Sequence, residues 1–373
     1  IDEGRALLER LLSGQGLSLP RSALHATALL VMHRARLAWR GLDFTPTPEA
    51  DLAVDRLARA DAAWSAAVTL ALVDAVAAAS FQVQGLLEAL ELGEPRRVAR
   101  SLSAEAVFRA AFGDHRQARV LWDECARLLQ GRGDALDRAG LELSASVCAY
   151  QRGDWVGSHR GATDALRQLR GQRANLSWIR STVIVYRLAA AAHRGNIDEL
   201  AAELPRELEH ARARGDLHAV LHLSLGMPVP VAAVLDDARA GLAEADRVWE
   251  LSPGRQYDQL RIHYLRTRAE LALSLGDVEV AGAAGRETLS LIRRSSASRL
   301  PVVRLWAEEL ALRCLLLEAR ARGITPSLAR RARALLGSLR RGEPWAVAVA
   351  RLHEGQLAAL QGRAPEAVEA LTE

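Results

Sequence analysis

A glycine followed by an acid or an asparagine recurs along this chain about every forty residues, each time between two apolar helical stretches. The pairs are Gly113-Asp114, Gly153-Asp154, Gly195-Asn196 and Gly276-Asp277, with a weaker Gly362-Arg363; the gaps are 40, 42, 81 and 86 residues, so the last two are double steps. A period of this length marks a stacked array of helix pairs, each burying its apolar face against its neighbours. The turn due near residue 236 falls on Leu235-Asp236-Asp237, which keeps the spacing and loses the glycine. We expect an all-α solenoid of antiparallel helix pairs, an architecture that presents surfaces and seldom carries a reaction centre.

Composition agrees. Half the residues are hydrophobic but only 4% are aromatic, so Ala and Leu, both strong helix formers, carry the apolar load. Hairpin signals are missing, and almost no strand is expected. All 49 basic residues are Arg. Without lysine these residues build no Walker A loop, no kinase strand lysine and no Schiff base. The net charge of +4 is spread over interleaved Arg and acids, so nucleic-acid binding is not expected. The nearest approach to a basic patch is Arg320 to Gly342, with seven Arg and no acid. There Leu328, Ala332, Leu335, Leu336 and Leu339 form a buried stripe, and Arg330, Arg333 and Arg340 fall outside it, as a solvated face or a surface for an acidic partner. Cys125, Cys148 and Cys314 lie far apart and read as small core residues in a reducing, cytoplasmic compartment. The longest apolar run, Ala62 to Val73, is broken by Asp74 and is too short to span a bilayer. A start at Ile1 and a stop inside a helical pattern at Glu373, with no signal-peptide pattern, read as a piece of a larger protein.

Periodicity predicts helices over 2–12 and 21–40, then a boundary at Thr45-Pro46-Thr47-Pro48, dividing a lead-in (1–45) from one continuous array (46–373). A long helix to about Ala77 and a partner over 81–92 follow. Regular helices are predicted over 94–111, 114–130, 134–151, 154–170, 174–194, 196–213, 255–275, 277–293, 299–321, 326–340 and 344–361. Gly226-Met227-Pro228-Val229-Pro230 is no helix interior and is the least regular joint.

Set in register on the turn glycine, the repeats show a second pattern. Seven residues before it stand Ala106, Ser146, Ala269 and Gly355, and five after it Ala118, Ser158, Ala281 and Ala367; Leu188 and Leu200 depart together in one repeat. Trp155 and Trp122 fill aromatic slots. Small residues at these positions let paired helices approach, and the shared register resembles the tetratricopeptide repeat with helices about one turn longer. That resemblance implies a right-handed superhelix whose first helices line a concave face. The groove positions then include Arg100 and Ser103, Tyr150 and Gln151, Thr182 and His193, and His263, Arg266 and Glu270. Such a face holds a peptide by hydrogen bonds and Arg-carboxylate pairs, or is solvated or covered by another part of the same protein. The Lys and Asn clamp of chaperone-tail binders is absent.

Catalytic constellations are missing. No HExxH or GxSxG occurs. His218 and His222 share a helix face with only Asp216 nearby, which favours a satisfied surface pair over a metal site. Glu308 and Glu309, being adjacent, point to different sides of a helix and form no acid/base pair. No cofactor or metal is expected, and no enzyme.

A wider resemblance rests on Asp61, Trp64, Ser65, Asp74, Phe81-Gln82, Leu86-Leu87, Ala89-Leu90 and Gly93-Glu94-Pro95-Arg96-Arg97-Val98-Ala99-Arg100, with Arg34-Ala35-Arg36-Leu37 ahead of them. This resembles the C-terminal helical region of large bacterial serine/threonine kinases, common in myxobacteria, that carry a central signal-transduction ATPase. The resemblance implies a non-catalytic array that recruits a protein or peptide partner. Self-association or docking onto the parent ATPase or kinase is an alternative. A small-ligand pocket at the 226–230 joint is another.

Overall fold

The computed structural model describes residues 2–71, 74–171, 177–226, 237–252 and 258–372. Among these, all regular structure is helical and falls into two compact units, residues 1–148 with 160–183, and residues 149–159 with 184–373. The Pro228–Pro230 joint and the degenerate turn at Asp236 lie outside the described residues, so the pocket expected there has no described structure.

In the first unit α1 (Asp2–Gly14) packs on α3 (Val54–Leu70), and α2 (Ala23–Arg40) lies against α4 (Ala75–Leu92). From α3 the helices pair in sequence, through α5 (Pro95–Ala111) to α6 (His115–Leu129). Three helices straddle the division: α7 (Ala135–Gln151), α8 (Trp155–Leu169) and α9 (Ser177–His193). The second unit continues with α10 (Ile197–Ala213), α11 (Leu217–Leu225), α12 (Ala238–Leu251), α13 (Asp258–Leu275), α14 (Val278–Arg294), α15 (Pro301–Arg322), α16 (Pro326–Leu339), α17 (Pro344–Leu360) and α18 (Ala364–Thr372). Here α13, α15 and α17 contact their own partners and also one another in series, the pattern of stacked antiparallel pairs.

The recurring turn has one geometry. At Gly113, Gly153, Gly195, Gly276 and Gly362 the glycine sits at φ between 69 and 87°. Its amide donates to the carbonyl three residues back, and the next amide to the carbonyl five back, as in Asp114 N to Arg109 O at 2.9 Å. This is a Schellman closure, which needs the left-handed glycine. The following Asp then caps the next helix: Asp114, Asp154 and Asp277 each accept a backbone amide three residues on. Two residues thus end one helix and start its antiparallel partner. The same device at Gly215-Asp216, with Asp216 capping Ala219 N at 3.0 Å, was not anticipated, because it falls half a period after Gly195.

Where a helix range was expected, the described boundaries agree to within a few residues except at one place; α11 and α12 had no expected range. The helix predicted to run to Ala77 stops at Leu70, and Asp74 caps α4 through Ala77 N at 3.0 Å. The small-residue register is buried throughout, and Leu188 and Leu200 are fully buried as well. In that repeat Arg187 of α9 pairs with Glu199 at 3.1 Å and with Glu203, both on α10. The α16 stripe is buried and Arg330, Arg333 and Arg340 are exposed, with Arg340 paired to Glu354. Cys125 and Cys314 are buried and Cys148 is half-buried. No described helix is long and apolar enough to cross a membrane.

Candidate functional site

The chain's scarce aromatics are concentrated. Three of its eight Trp and two of its four Tyr meet in one cluster of the second unit. Tyr150, at the end of α7, is its centre and is 1% exposed. Its ring lies 4.9 Å from Trp155, 5.4 Å from Tyr186, 5.7 Å from His193 and 5.6 Å from Trp306, in edge contacts. His193 is stacked on Trp155 at 4.1 Å and on Trp306 at 5.6 Å, with its Nε2 3.2 Å from the Tyr150 hydroxyl. Trp345 of α17 adds a further ring 6.2 Å from Trp155, against Gly153, where a Cβ would meet Trp345 Cδ1 at 2.3 Å.

One cation enters this cluster. The Arg266 guanidinium of α13 lies 4.4 Å from the centre of the Trp306 ring. Its Nη1 is buried without a hydrogen bond, and no ion pair or hydrogen bond to Arg266 is found among the described residues. Trp306 Nε1, Trp345 Nε1 and the Gln151 side-chain oxygen are likewise buried without a hydrogen bond among the described residues. Buried polar groups are satisfied as a rule, so three donors and one acceptor left unsatisfied around these aromatic rings set the cluster apart from an ordinary core.

The electrostatics follow from burial and Arg266. Burial, reinforced by the Arg266 charge, pushes the His193 imidazole down to about 3 and that of His263 to about 4. Burial likewise raises the Tyr150 hydroxyl well above its ordinary value. At neutral pH these three groups are uncharged, and the Arg266 charge stands among neutral rings. A second layer balances itself. Arg313 binds Glu270 at 2.9 Å and Glu309 at 3.7 Å, and His353 reaches Glu309 at 3.2 Å. Burial works to raise the Glu309 carboxyl, but the hydrogen bond to His353 and the charges of Arg313 and Arg266 hold it below the usual carboxylate range.

Of the residues expected on a groove, Tyr150, Gln151, His193, His263 and Arg266 therefore lie in or beside this cluster. Tyr150 is wholly buried, so it shapes the surface from beneath. His263 sits 5.6 Å from His222, which is itself buried and not the surface residue expected. Glu270 is committed to Arg313. Arg100 belongs to the other unit, where it pairs with Asp61 and covers the Trp64 ring at 4.4 Å. Asp61 also takes Arg97 at 2.9 Å, and Glu94 caps α5 through Arg96 N and Arg97 N, so the motif running from Asp61 to Arg100 is structural. Ser103 and Thr182 bond carbonyls of their own helices.

Sequence reasoning missed Tyr186, Trp306, Trp345, Glu309, Arg313 and His353. Rarity was the available signal: in a chain with 4% aromatics, tryptophans on first helices stand out. Glu308 turns instead to Arg304, so the two adjacent acids diverge as expected. No group of three metal-ligating side chains is found among the described residues. No known family profile matches the chain, and no curated protein matches it.

Proposed function

We propose that this chain is a non-catalytic protein-interaction array of tetratricopeptide-like type. It receives an acidic segment of a protein or peptide partner at Arg266 and the surrounding aromatic rings. The observation that carries this reading is the Arg266 guanidinium, stacked on Trp306 and with no ion pair or hydrogen bond to a carboxylate among the described residues, although its charge reaches Glu309. An incoming carboxylate gains a charge-assisted, bidentate partner, while the rings exclude water around it. Arg, Trp and Tyr are the residues that most often dominate binding energy at such contacts. A regulatory role beside an ATPase or kinase of a signalling protein, as the sequence resemblance implies, suits an array of this kind and rests on analogy alone.

The test is selection of a random peptide display library on the full chain. Recovered peptides are expected to carry Asp or Glu, and Arg266→Glu to abolish their capture while Arg266→Gln weakens it. Recovery of peptides without acids, or unchanged capture by Arg266→Glu, defeats the assignment. Tyr150→Ala is unsuitable here because Tyr150 is core.

A second reading, self-association or docking within a parent protein, is favoured by one surface of the first unit. Leu24, Ala28, Val31, Met32, Ala35 and Trp39 form an exposed stripe along α2, with Leu24 84% and Trp39 90% exposed. Concentration-dependent sedimentation, lost on Trp39→Glu with Val31→Glu, supports it; a strict monomer removes it.

A further inference from the structure

A groove of about 580 Å³ runs between α14 and α16 over the back of α15. Its apolar floor is formed by Leu289, Leu315 and Leu335, with Ala311, Ala334 and the buried Cys314 beneath. Its walls carry Arg286, Arg293 and Arg294 on α14 and Arg331 on α16, against one acid, Glu318. None of these four arginines has an ion pair or hydrogen bond among the described residues. This contrasts with their surroundings, where Arg261 pairs with Glu287, Arg322 with Glu279 and Arg340 with Glu354. Both acids of α14 thus turn away from the groove, and its arginines face it uncompensated. Gly282 keeps the upper wall open; a Cβ there would meet only the flexible Arg286 guanidinium, at 3.1 Å.

We infer that this groove docks an amphipathic α-helix of a partner protein, apolar on one face and flanked by Asp or Glu. The shape and charge select this occupant. The wall from Gly282 to Arg294 is about 18 Å long, three turns of helix, and Arg286 and Arg293 are two turns apart, about 10 Å. Acids spaced seven residues apart on a docked helix match that interval. A single-headed anionic amphiphile needs one cation and an enclosed tail channel, whereas here cations stand along both walls of an open groove. Helix-in-groove recognition uses this combination of apolar floor and charged rims.

The experiment uses the full chain and a fluorescein-labelled amphipathic helix with leucines along one face and glutamates beside them. Its counterpart carries lysines in place of the glutamates. Fluorescence anisotropy is expected to show saturable binding of the glutamate helix only, weakened at least about tenfold by Arg286→Glu with Arg293→Glu and by raised salt. Gly282→Leu crowds the groove beside Arg286 without changing its net charge and is expected to abolish binding. The charge-reversed variant is expected to take the lysine helix instead. Arg266→Glu is expected to leave all of this unchanged, which separates this surface from the aromatic one. Equal binding of both helices, or retention by both groove variants, overturns the inference. Displacement of the helix by dodecanoate or by phosphatidylglycerol vesicles, with those variants losing the lipid, overturns it in favour of a lipid site.

Discussion

His193 and His263 make the second unit acid-sensitive in a calculable way. Each is held neutral, at about 3 and about 4, by burial with Arg266 beside it. In the unfolded chain each titrates near 6.5. A folded value below the unfolded one means that the unfolded state binds the extra proton as pH falls. The stability is therefore full above about pH 6.5 and is lost progressively below it, down to the folded values. At pH 5 the loss is about 2 kcal/mol for each ring, so about 4 kcal/mol for an opening that exposes both. Around His193 stand Tyr150, Trp155, Trp306 and Arg266, and around His263 stand His222 and Arg266, with no carboxylate in hydrogen-bond contact with either ring among the described residues to offset the effect. Peptide-resolved hydrogen exchange reads this directly. Amides of α13 and of α9 beyond residue 184 should lose about a thousandfold in protection between pH 7 and pH 5, after correction for intrinsic rates. His193→Gln should remove about half of that change on a logarithmic scale. His33 in the first unit is also lowered, first by burial, so wild type must be compared with variant rather than one unit with the other. Equal pH dependence in wild type and His193→Gln would refute the reasoning.

Other positions give shorter tests. Glu105 binds Arg34 through both oxygens at 2.6 and 2.7 Å and also takes Gln82 and Arg109, tying α5 to α2 and α4. Glu105→Gln should cost about 2–3 kcal/mol in exchange protection of α4 and α5, and Arg34→Met with Glu105→Met should recover most of it. In α14 a Cβ on Gly285 would lie 2.8 Å from Cys314 Sγ, whereas the nearest atom to a Cβ on Gly337 is a flexible Arg341 nitrogen at 3.7 Å. Gly285→Ala should therefore lower the unfolding free energy measured in urea by about 1–3 kcal/mol, and Gly337→Ala should raise it by up to about 1 kcal/mol. Asp277→Ala should cost about 1 kcal/mol as a lost cap, and Asn196→Ala less, because Asn196 makes no side-chain cap bond.

How much was legible follows from the range of each interaction. The Gly-Asp turn was readable because its chemistry lies within five residues: a left-handed glycine, two backbone hydrogen bonds and one carboxylate cap. Pro326 and Pro344 fixed helix starts for the same local reason. The two failures were also local and came from weighting the period above the chemistry. Asp74 was read as a flaw in an apolar run although it is an N-cap, and Gly215-Asp216 was passed over because it broke the forty-residue ruler. The site was half readable. Position in the repeat singled out Tyr150, His193 and Arg266 as groove positions, and they do share one cluster, with Tyr150 in its core; Trp306, 156 residues beyond Tyr150 in the chain, joins them only through the packing of separate helices. Exposure was readable on α16, where one apolar stripe faces the core, but not on the first helices, where a position becomes surface or core according to what reaches it from elsewhere.

The small-residue rule shows why the chemistry collects where it does. Where Ala or Ser stands on both sides of a turn, the paired helices close on each other through an apolar seam, and the Arg261–Glu287 pair across α13 and α14 lies at its exposed edge. Where Leu188 and Leu200 replace them, the seam is filled by larger side chains, and Arg187 bridges it to Glu199 and Glu203, with His159 joining Glu199 at 2.8 Å. Charge on that side is thereby consumed in holding helices together. Arg266 lies on a helix whose own seam, at Ala269, follows the small-residue rule, and its guanidinium stacks on Trp306 without an ion pair. The arginines of the α14 groove are in the same position, since Ala281 and Gly285 close that seam without them. In an array rich in arginine, the informative cations are those left unpaired where packing has already been satisfied by small residues.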